Sequence, residues 1–443
     1  MIHPLRPFQR QALEIADRED RYAFYFDTGV GKTRTAAAII ATDLWLRARG
    51  RWLVVTPRSV IPGWLEECAR WGVPAWSPSP ALLTRRGLAL QGATVSRAEW
   101  VRTLRAREDC VLIANPETLL QMTTPDVWGI VVDESAVMQS EKAQITKRLL
   151  TIAARAQRVY LLSGNPSPNG PLHLWAQAVA LGLFPSRWWA WASTFGYQDR
   201  YHRWHLREGA AERILALMAP RAWYLDKSAV LSLDEPQVVL RRFVPPEGGL
   251  TWQQLVAAVR EEGLGCVMRL RTQASGFLYL SERTESGKKR RVGTAVGHRA
   301  RSEALSELLQ ELSGRRGIVW YQFDESGRQV RDVLAALGLT WTPDPEAYRA
   351  DSTISVLTAH PRSMGRGTDG LQYCSSDMVF FEISYSYDEY YQSLSRLHRS
   401  GQTRPVSVYV LIAAGTVDEE AWQAIARKED VADALRRALG RAK

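Results

Sequence analysis

The stretch FDTGVGKTRTA, Phe26–Ala36, decides how the rest of the chain is read. It follows a short apolar run, YAFYF (22–26), and leads into a stretch of helical character, Thr33–Arg47. Strand, glycine-containing turn and helix in that order build a phosphate-binding loop. Its N–H groups curl toward an anion, and the helix N-terminus adds partial positive charge. Gly29 and Gly31 allow the curl, Lys32 can reach the β and γ phosphates, and the Thr33 hydroxyl suits Mg2+. Phe26 stands where the pattern G-x-x-x-x-G-K-[ST] has its first glycine, which raises the question of whether the loop works.

A nucleotide site needs a metal holder and a carboxylate for the attacking water. VVDES (131–135) supplies both at the end of an apolar strand, about 100 residues downstream of the loop. Asp133 is placed to hold Mg2+ and Glu134 to polarise water. Charge on the transferred phosphoryl group also calls for a cation. QSLSRLHRSGQ (392–402) offers Arg396 and Arg399, three apart on an expected helix and therefore on one face.

Around these motifs the chain alternates strand and helix. In the first half the expected strands are 22–26, 52–56, 110–114, 129–133 and 159–163, with helices at Thr33–Arg47 and Ile61–Trp71. In the second half they are 317–323, 353–359, 378–384 and 406–412, with helices at 301–312, 325–337, 388–399 and 417–438. Such alternation implies parallel sheets covered on both faces. The irregular, tryptophan-rich segment 184–228 lies between the halves, and LDEPQVVLRRFVPPEGG after it has the Pro and Gly content of a connector.

Composition bounds the function. The chain has 443 residues, 46% hydrophobic and 23% charged, which suits two or three packed domains rather than a disordered polymer. The net charge of +10 favours a polyanionic partner, and 49 of the 57 basic residues are arginine, the better bidentate ligand of phosphate. Cys68, Cys110, Cys266 and Cys374 are scattered without a C-x-x-C pair, which argues against a zinc ribbon or disulfide framework. His202 and His205 are expected to be surface or packing residues. No apolar run reaches the ~18 residues of a membrane span and the N-terminus lacks a signal-peptide core, so a cytoplasmic, non-secreted protein is expected.

In order along the chain, the motifs resemble those of superfamily-two DNA translocases of the Swi/Snf type, in their short phage and bacterial form. LRPFQRQAL (5–13) is similar to the adenine-reading motif, DTGVGKT (27–33) to motif I and LVVTPRSVIPGWLEE (53–67) to motif Ia with its helix. VLIANPETL (111–119) is similar to a backbone-contacting segment, DESA (133–136) to motif II and LLSGNPSPNGPLHLW (161–175) to motif III. GIVWYQF (317–323), SMGRGTDGLQ (363–372) and QSLSRLHRSGQTRPVSVYVLIAAGTVDEEAW (392–422) are similar to motifs IV, V and VI. Family loops often lack the first glycine, so Phe26 does not mark a dead site.

The resemblance implies two tandem RecA-like domains, 1–242 and 243–443, with a helical, aromatic-rich insert at about 184–228 in the first. It implies a DNA-stimulated ATPase using ATP and Mg2+, with Lys32, Asp133, Glu134, Arg396 and Arg399 catalytic and Thr33 and Asp133 at the metal. Arg6, Gln9, Thr28, Gly29, Val30, Gly31, Lys32, Thr33, Arg34, Gly367 and Gln392 would bind ATP. Arg58, Asn115 and Asn169 would face duplex, forked or branched DNA. Trp188, Trp189, Trp191 and Trp204 would either stack on bases or form the core of the insert, and the four consecutive basic residues Lys288–Arg291 would lie in an exposed loop. Other readings are a motor subunit of a restriction, defence or replication complex, an RNA helicase and a non-catalytic DNA-binding protein. Two positions depart from the family: Ala136 replaces the motif II histidine that helps couple the nucleotide site to motif III, and Asn165 replaces the motif III threonine.

Overall fold

The computed structural model describes residues 4–47, 50–77, 109–122, 126–168, 170–185, 187–200, 202, 204–231, 233–245, 266–283, 289–361, 364, 370–383, 386–419, 421–423 and 425–427. They divide into two compact units, with the break between Leu231 and Ser232.

In the first unit a seven-stranded sheet has the order β3-β4-β2-β5-β6-β1-β9. The strands are β1 Arg21–Phe26, β2 Trp52–Val55, β3 Ala75–Trp76, β4 Val111–Ala114, β5 Gly129–Asp133, β6 Arg158–Leu162 and β9 Ala222–Leu225. Every pairing is parallel. Successive side chains of a strand face opposite ways, and β1 uses both faces. Ala23 and Tyr25 enter one core with Leu161, Trp175 and Trp191. Phe24 and Phe26 enter the other with Phe8, Ile40 and Trp64. Phe26 is thus the last core residue of β1, set edge-on to Phe8 at 5.8 Å and Trp223 at 5.1 Å. The loop proper begins at Asp27, so an aromatic residue before it serves packing.

In the second unit a six-stranded, wholly parallel sheet has the order β10-β17-β16-β13-β15-β14. Its strands are β10 Gln237–Phe243, β13 Gly317–Trp320, β14 Trp341–Thr342, β15 Val356–Ala359, β16 Asp377–Phe380 and β17 Ser407–Ala413. The helices Ala300–Glu311 and Asp324–Ala336 cover one face through Leu305, Leu308, Val330 and Leu334. Both units therefore have the expected α/β architecture of parallel sheets flanked by helices.

Three local expectations are corrected. The proline- and glycine-rich connector contains β10, which pairs with β17 along its whole length. That pairing draws the break between the units ahead of residue 242. The insert is shorter than 184–228, because β9 at its end is the edge strand beside β1. What remains is the helix Trp188–Phe195, a hairpin of β7 Gly196–Gln198 and β8 Trp204–Leu206, and the helix Ala210–Met218. Lys289–Arg291 lie not in a loop but in strand β12, Lys289–Val296, antiparallel to β11, Phe277–Arg283. Among the described residues no helix is long and apolar enough to cross a membrane.

Candidate nucleotide site

The loop after β1 is held at both ends. Asp27 N donates to Leu225 O of β9 at 2.9 Å, and Thr28 N donates to Asp27 Oδ1 at 2.7 Å. Gly29 and Gly31 have φ of 82° and 109°, a region that L side chains enter only with strain. Gln9 braces the loop from below: its Nε2 donates to Gly31 O at 3.4 Å and its Oε1 accepts from Arg6 N at 3.0 Å. The buried amide thus joins the loop to the start of the helix Pro7–Arg18. Val30 is buried, while Thr28 and Thr33 are half-buried.

Lys32 opens the helix Lys32–Arg47, and its Nζ donates to Phe26 O at 3.1 Å and Asp27 O at 3.4 Å. The loop carbonyls hold the ammonium inside the turn. Gly164, in the loop after β6, comes so close that an added Cβ would lie 3.3 Å from Thr28 N and 3.5 Å from Lys32 Nζ. Arg34 is turned the other way, 4.0 Å from Glu67 of the helix Ile61–Arg70.

Asp133 ends β5, and its Oδ2 accepts from Thr56 Oγ1 at 2.9 Å and Trp64 Nε1 at 2.8 Å. Burial pushes this carboxyl above the ordinary range and the Glu134 charge adds to the rise. Trp64, Lys32 and Thr56 oppose it by favouring the charged form. Glu134 follows with φ 56° and ψ 58°, a left-handed conformation uncommon for a non-glycine residue. Such strain tends to gather at functional positions. A hydroxyl and a buried carboxylate are hard oxygen donors, so Thr33 and Asp133 suit Mg2+ chemically. The fold brings Gln9, from the helix before β1, to Gly31 and Lys32, which with Asp133 follow or end parallel strands at the carboxyl side, where α/β sheets bind ligands.

Arg396, Arg399 and Gln392 belong to the second unit. The expected helix 388–399 runs only over Tyr387–Leu394, so the two arginines do not share a helical face. They lie in the turns that follow, where Arg396 N donates to Ser393 O and Gln402 N to Arg399 O, each at 3.1 Å. Buried neighbours fix these turns. His398 Nε2 is 3.0 Å from Asp234 O, Gln402 Nε2 donates to Ser375 O at 2.9 Å, and Gln372 Nε2 donates to Ser400 O at 3.2 Å.

Of the expected DNA contacts, Arg58 is exposed at the start of a short 3-10 turn. Asn115 is buried, and its amide is engaged by Glu117 and Thr118 of its own short helix. Asn169 and Gly367 lie outside the described residues. The tryptophans divide. Trp191 is fully buried and donates to Leu172 O at 2.9 Å, and Trp188 packs edge-on to Trp175. Trp189 is 65% exposed and meets the half-buried Trp204 edge-on. His205 is exposed, stacked on Tyr197 and 2.9 Å from Asp199, as a surface residue.

Thr56 and Trp64 were not among the expected site residues. Both fall inside the motif Ia stretch, but no periodicity tells that an indole N–H will point at a carboxylate two strands away in sequence.

Several known proteins are similar to this chain. A family profile described as the SNF2-related domain matches residues 24–242. A SWI/SNF-related matrix-associated actin-dependent regulator of chromatin subfamily A-like protein 1 from Xenopus laevis is 26% identical over 97% of this chain and 44% of its own length. The mouse DNA annealing helicase and endonuclease ZRANB3 is 26% identical over 96% of this chain and 40% of its own. The chain therefore spans less than half the length of these two relatives. Putative protein p41 of Acyrthosiphon pisum secondary endosymbiont phage 1 is 24% identical over 93% of this chain and 94% of its own. The solved SWI2/SNF2 ATPase core of Sulfolobus solfataricus in complex with dsDNA aligns over 100% of this chain and 94% of its own at 18% identity, with a TM-score of 0.45.

Proposed function

With an SNF2-related domain spanning residues 24–242, we propose that the chain is a DNA-stimulated ATPase that moves along duplex DNA and remodels forks or branched structures. The carrying observation is that Lys32, held in the phosphate loop, acts electrostatically on Asp133. Both are buried, and Lys32 lies near enough to favour the ionised carboxylate.

In this reading the loop N–H groups and Lys32 bind the β and γ phosphates of ATP. Thr33 and Asp133 would hold Mg2+, which when bound offsets phosphate charge. Trp64 and Thr56 fix the Asp133 carboxylate in one orientation. Glu134 receives the proton of the attacking water. The motif VI resemblance assigns Arg396 and Arg399 the charge that this reaction calls for. Affinity for DNA comes chiefly from arginines on backbone phosphates, independent of sequence. The DNA annealing in the name of the ZRANB3 relative favours strand joining over simple strand separation.

The test is ATP turnover with single-stranded, duplex, forked and four-way DNA and with RNA. Duplex or branched DNA should stimulate and Lys32→Ala should abolish turnover. Stimulation by RNA alone, or turnover that survives Lys32→Ala, would refute the proposal.

A further inference from the structure

One buried amide joins three parts of the first unit that the motifs alone leave unconnected. Gln177 lies in the helix Trp175–Ala180 and is fully buried. Its Oε1 accepts from Tyr25 Oη and from Ser135 Oγ, each at 2.8 Å. Its Nε2 donates to Pro166 O at 2.7 Å. Tyr25 lies in the strand that feeds the phosphate loop, Ser135 follows the strained Glu134, and Pro166 lies in the loop whose Gly164 backs onto Lys32.

We propose that Gln177 is a positioning residue that couples the carboxylate turn at Asp133–Ser135 to the loop Ser163–Ser167. In low dielectric these bonds hold strongly, and a missing partner leaves a buried polar group unsatisfied. The requirement is specific. The amide accepts on its oxygen and donates on its nitrogen, and asparagine, with the same pair of atoms, is one methylene too short to span these partners. The link also answers the departure at motif II. Ala136 has no group able to bond across to the neighbouring loop, and the connection runs instead through the preceding residue, Ser135, and Gln177. A displacement of the loop Ser163–Ser167 is then transmitted to the backbone that carries Glu134, and to the strand before Lys32.

The kinetic arm of the test rests on the proposed DNA-stimulated ATPase; the exchange arm does not. Gln177→Met keeps volume and removes both bonding atoms. DNA-stimulated kcat should fall about tenfold while KM for ATP stays within about twofold, the size of effect one buried hydrogen bond supports. Because Gln177→Met leaves three polar partners stranded, the triple variant Tyr25→Phe, Ser135→Ala, Gln177→Met is made beside it. Apolar replacement of the two side-chain partners, with Pro166 O alone left unpaired, should restore most of the unfolding midpoint but not the stimulated kcat. Recovery of kcat together with stability would overturn the inference, since that is what a purely structural role gives. Hydrogen exchange read on the nucleotide-free protein should show faster exchange in both 134–138 and 163–167 in the triple variant. Unchanged exchange in both segments would also overturn it. A wild-type protein that no nucleic acid stimulates would refute the proposed function and leave the exchange result to decide the role of Gln177.

Discussion

Trp64 Nε1 donates to Asp133 Oδ2 at 2.8 Å, so a helix on one face of the first sheet holds the carboxylate at the end of its β5 strand. The bond uses one carboxylate oxygen, shared with Thr56. It also offsets part of the cost of burying charge, which remains the larger influence on this group.

That imbalance predicts a pH-dependent gain in stability for Asp133→Asn. The folded carboxyl titrates above its ordinary value of 3.8, because burial disfavours its charge. As pH rises past that value the unfolded chain releases its proton first, and the wild-type fold loses stability until the folded carboxyl also ionises. Asparagine has no proton to release, yet its Oδ1 can still accept from Trp64. In chelator, the unfolding midpoint of Asp133→Asn should exceed that of wild type by a margin that grows as pH rises above 3.8, the carboxyl's ordinary value, until the folded carboxyl ionises. A margin that shrinks over that interval would contradict the assignment. ATP turnover should be lost throughout.

The two kinds of tryptophan in the insert separate by unfolding. Trp191→Ala should destabilise the first unit by about 3–5 kcal/mol, through a cavity among Phe184, Phe195 and Leu172 and the loss of a buried donor. Trp189→Ala, at an exposed position, should stay within about 0.5 kcal/mol. Urea unfolding of both variants checks this, and equal costs would contradict the packing described. If Trp189 stacks on bases, its variant should weaken binding to single-stranded DNA while leaving stability intact.

Gly401 has φ 91° between Arg399 and Gln402. An added Cβ would lie 2.6 Å from Tyr373 Oη, but Tyr373 is 70% exposed and can swing aside. The backbone strain cannot be relieved that way. Gly401→Ala should therefore cost about 1–2 kcal/mol. The double variant with Tyr373→Ala should cost about as much. Full recovery in the double variant would show that the clash, not the dihedral, was limiting.

In the second unit Arg301 is fully buried and pairs with Asp418, while its guanidinium also donates to Phe381 O at 2.6 Å and Leu411 O at 3.1 Å. Asp418 Oδ2 accepts from Ala413 N at 3.0 Å. Removing one partner leaves an uncompensated buried charge, so Asp418→Ala should cost about 3–5 kcal/mol, measured by urea unfolding. Arg301→Met with Asp418→Leu should recover part of that loss. A double variant less stable than the single one would rule out the stranded charge as the cause.

The phosphate loop, the acid pair and most sheet strands could be read from the chain because each is a local signal. Apolar runs bounded by glycine or acidic residues mark buried strands whatever packs on them. The strand of Gly129–Asp133 and the helix of Ala300–Glu311 stand within a residue of their expected places for that reason. The strand of Gln237–Phe243 is not legible in the chain because its apolar and basic residues sit between proline-rich flanks. Its partner is 170 residues away, at Ser407–Ala413. The turns around Arg396 and Arg399 were concealed by a sequence of good helical propensity, which buried His398 and Gln402 override.

From sequence alone came the identity of the chemical groups: a lysine after a glycine turn, an aspartate and glutamate at a strand end, and an arginine-rich chain suited to phosphate. Tertiary structure alone decided their partners, namely Trp64 on Asp133, Gln9 under Gly31, and Gln177 among Tyr25, Ser135 and Pro166. The reason is physical. Backbone propensity and apolar period act over a few residues, whereas a buried hydrogen bond depends on the direction of one side-chain atom after distant segments have packed.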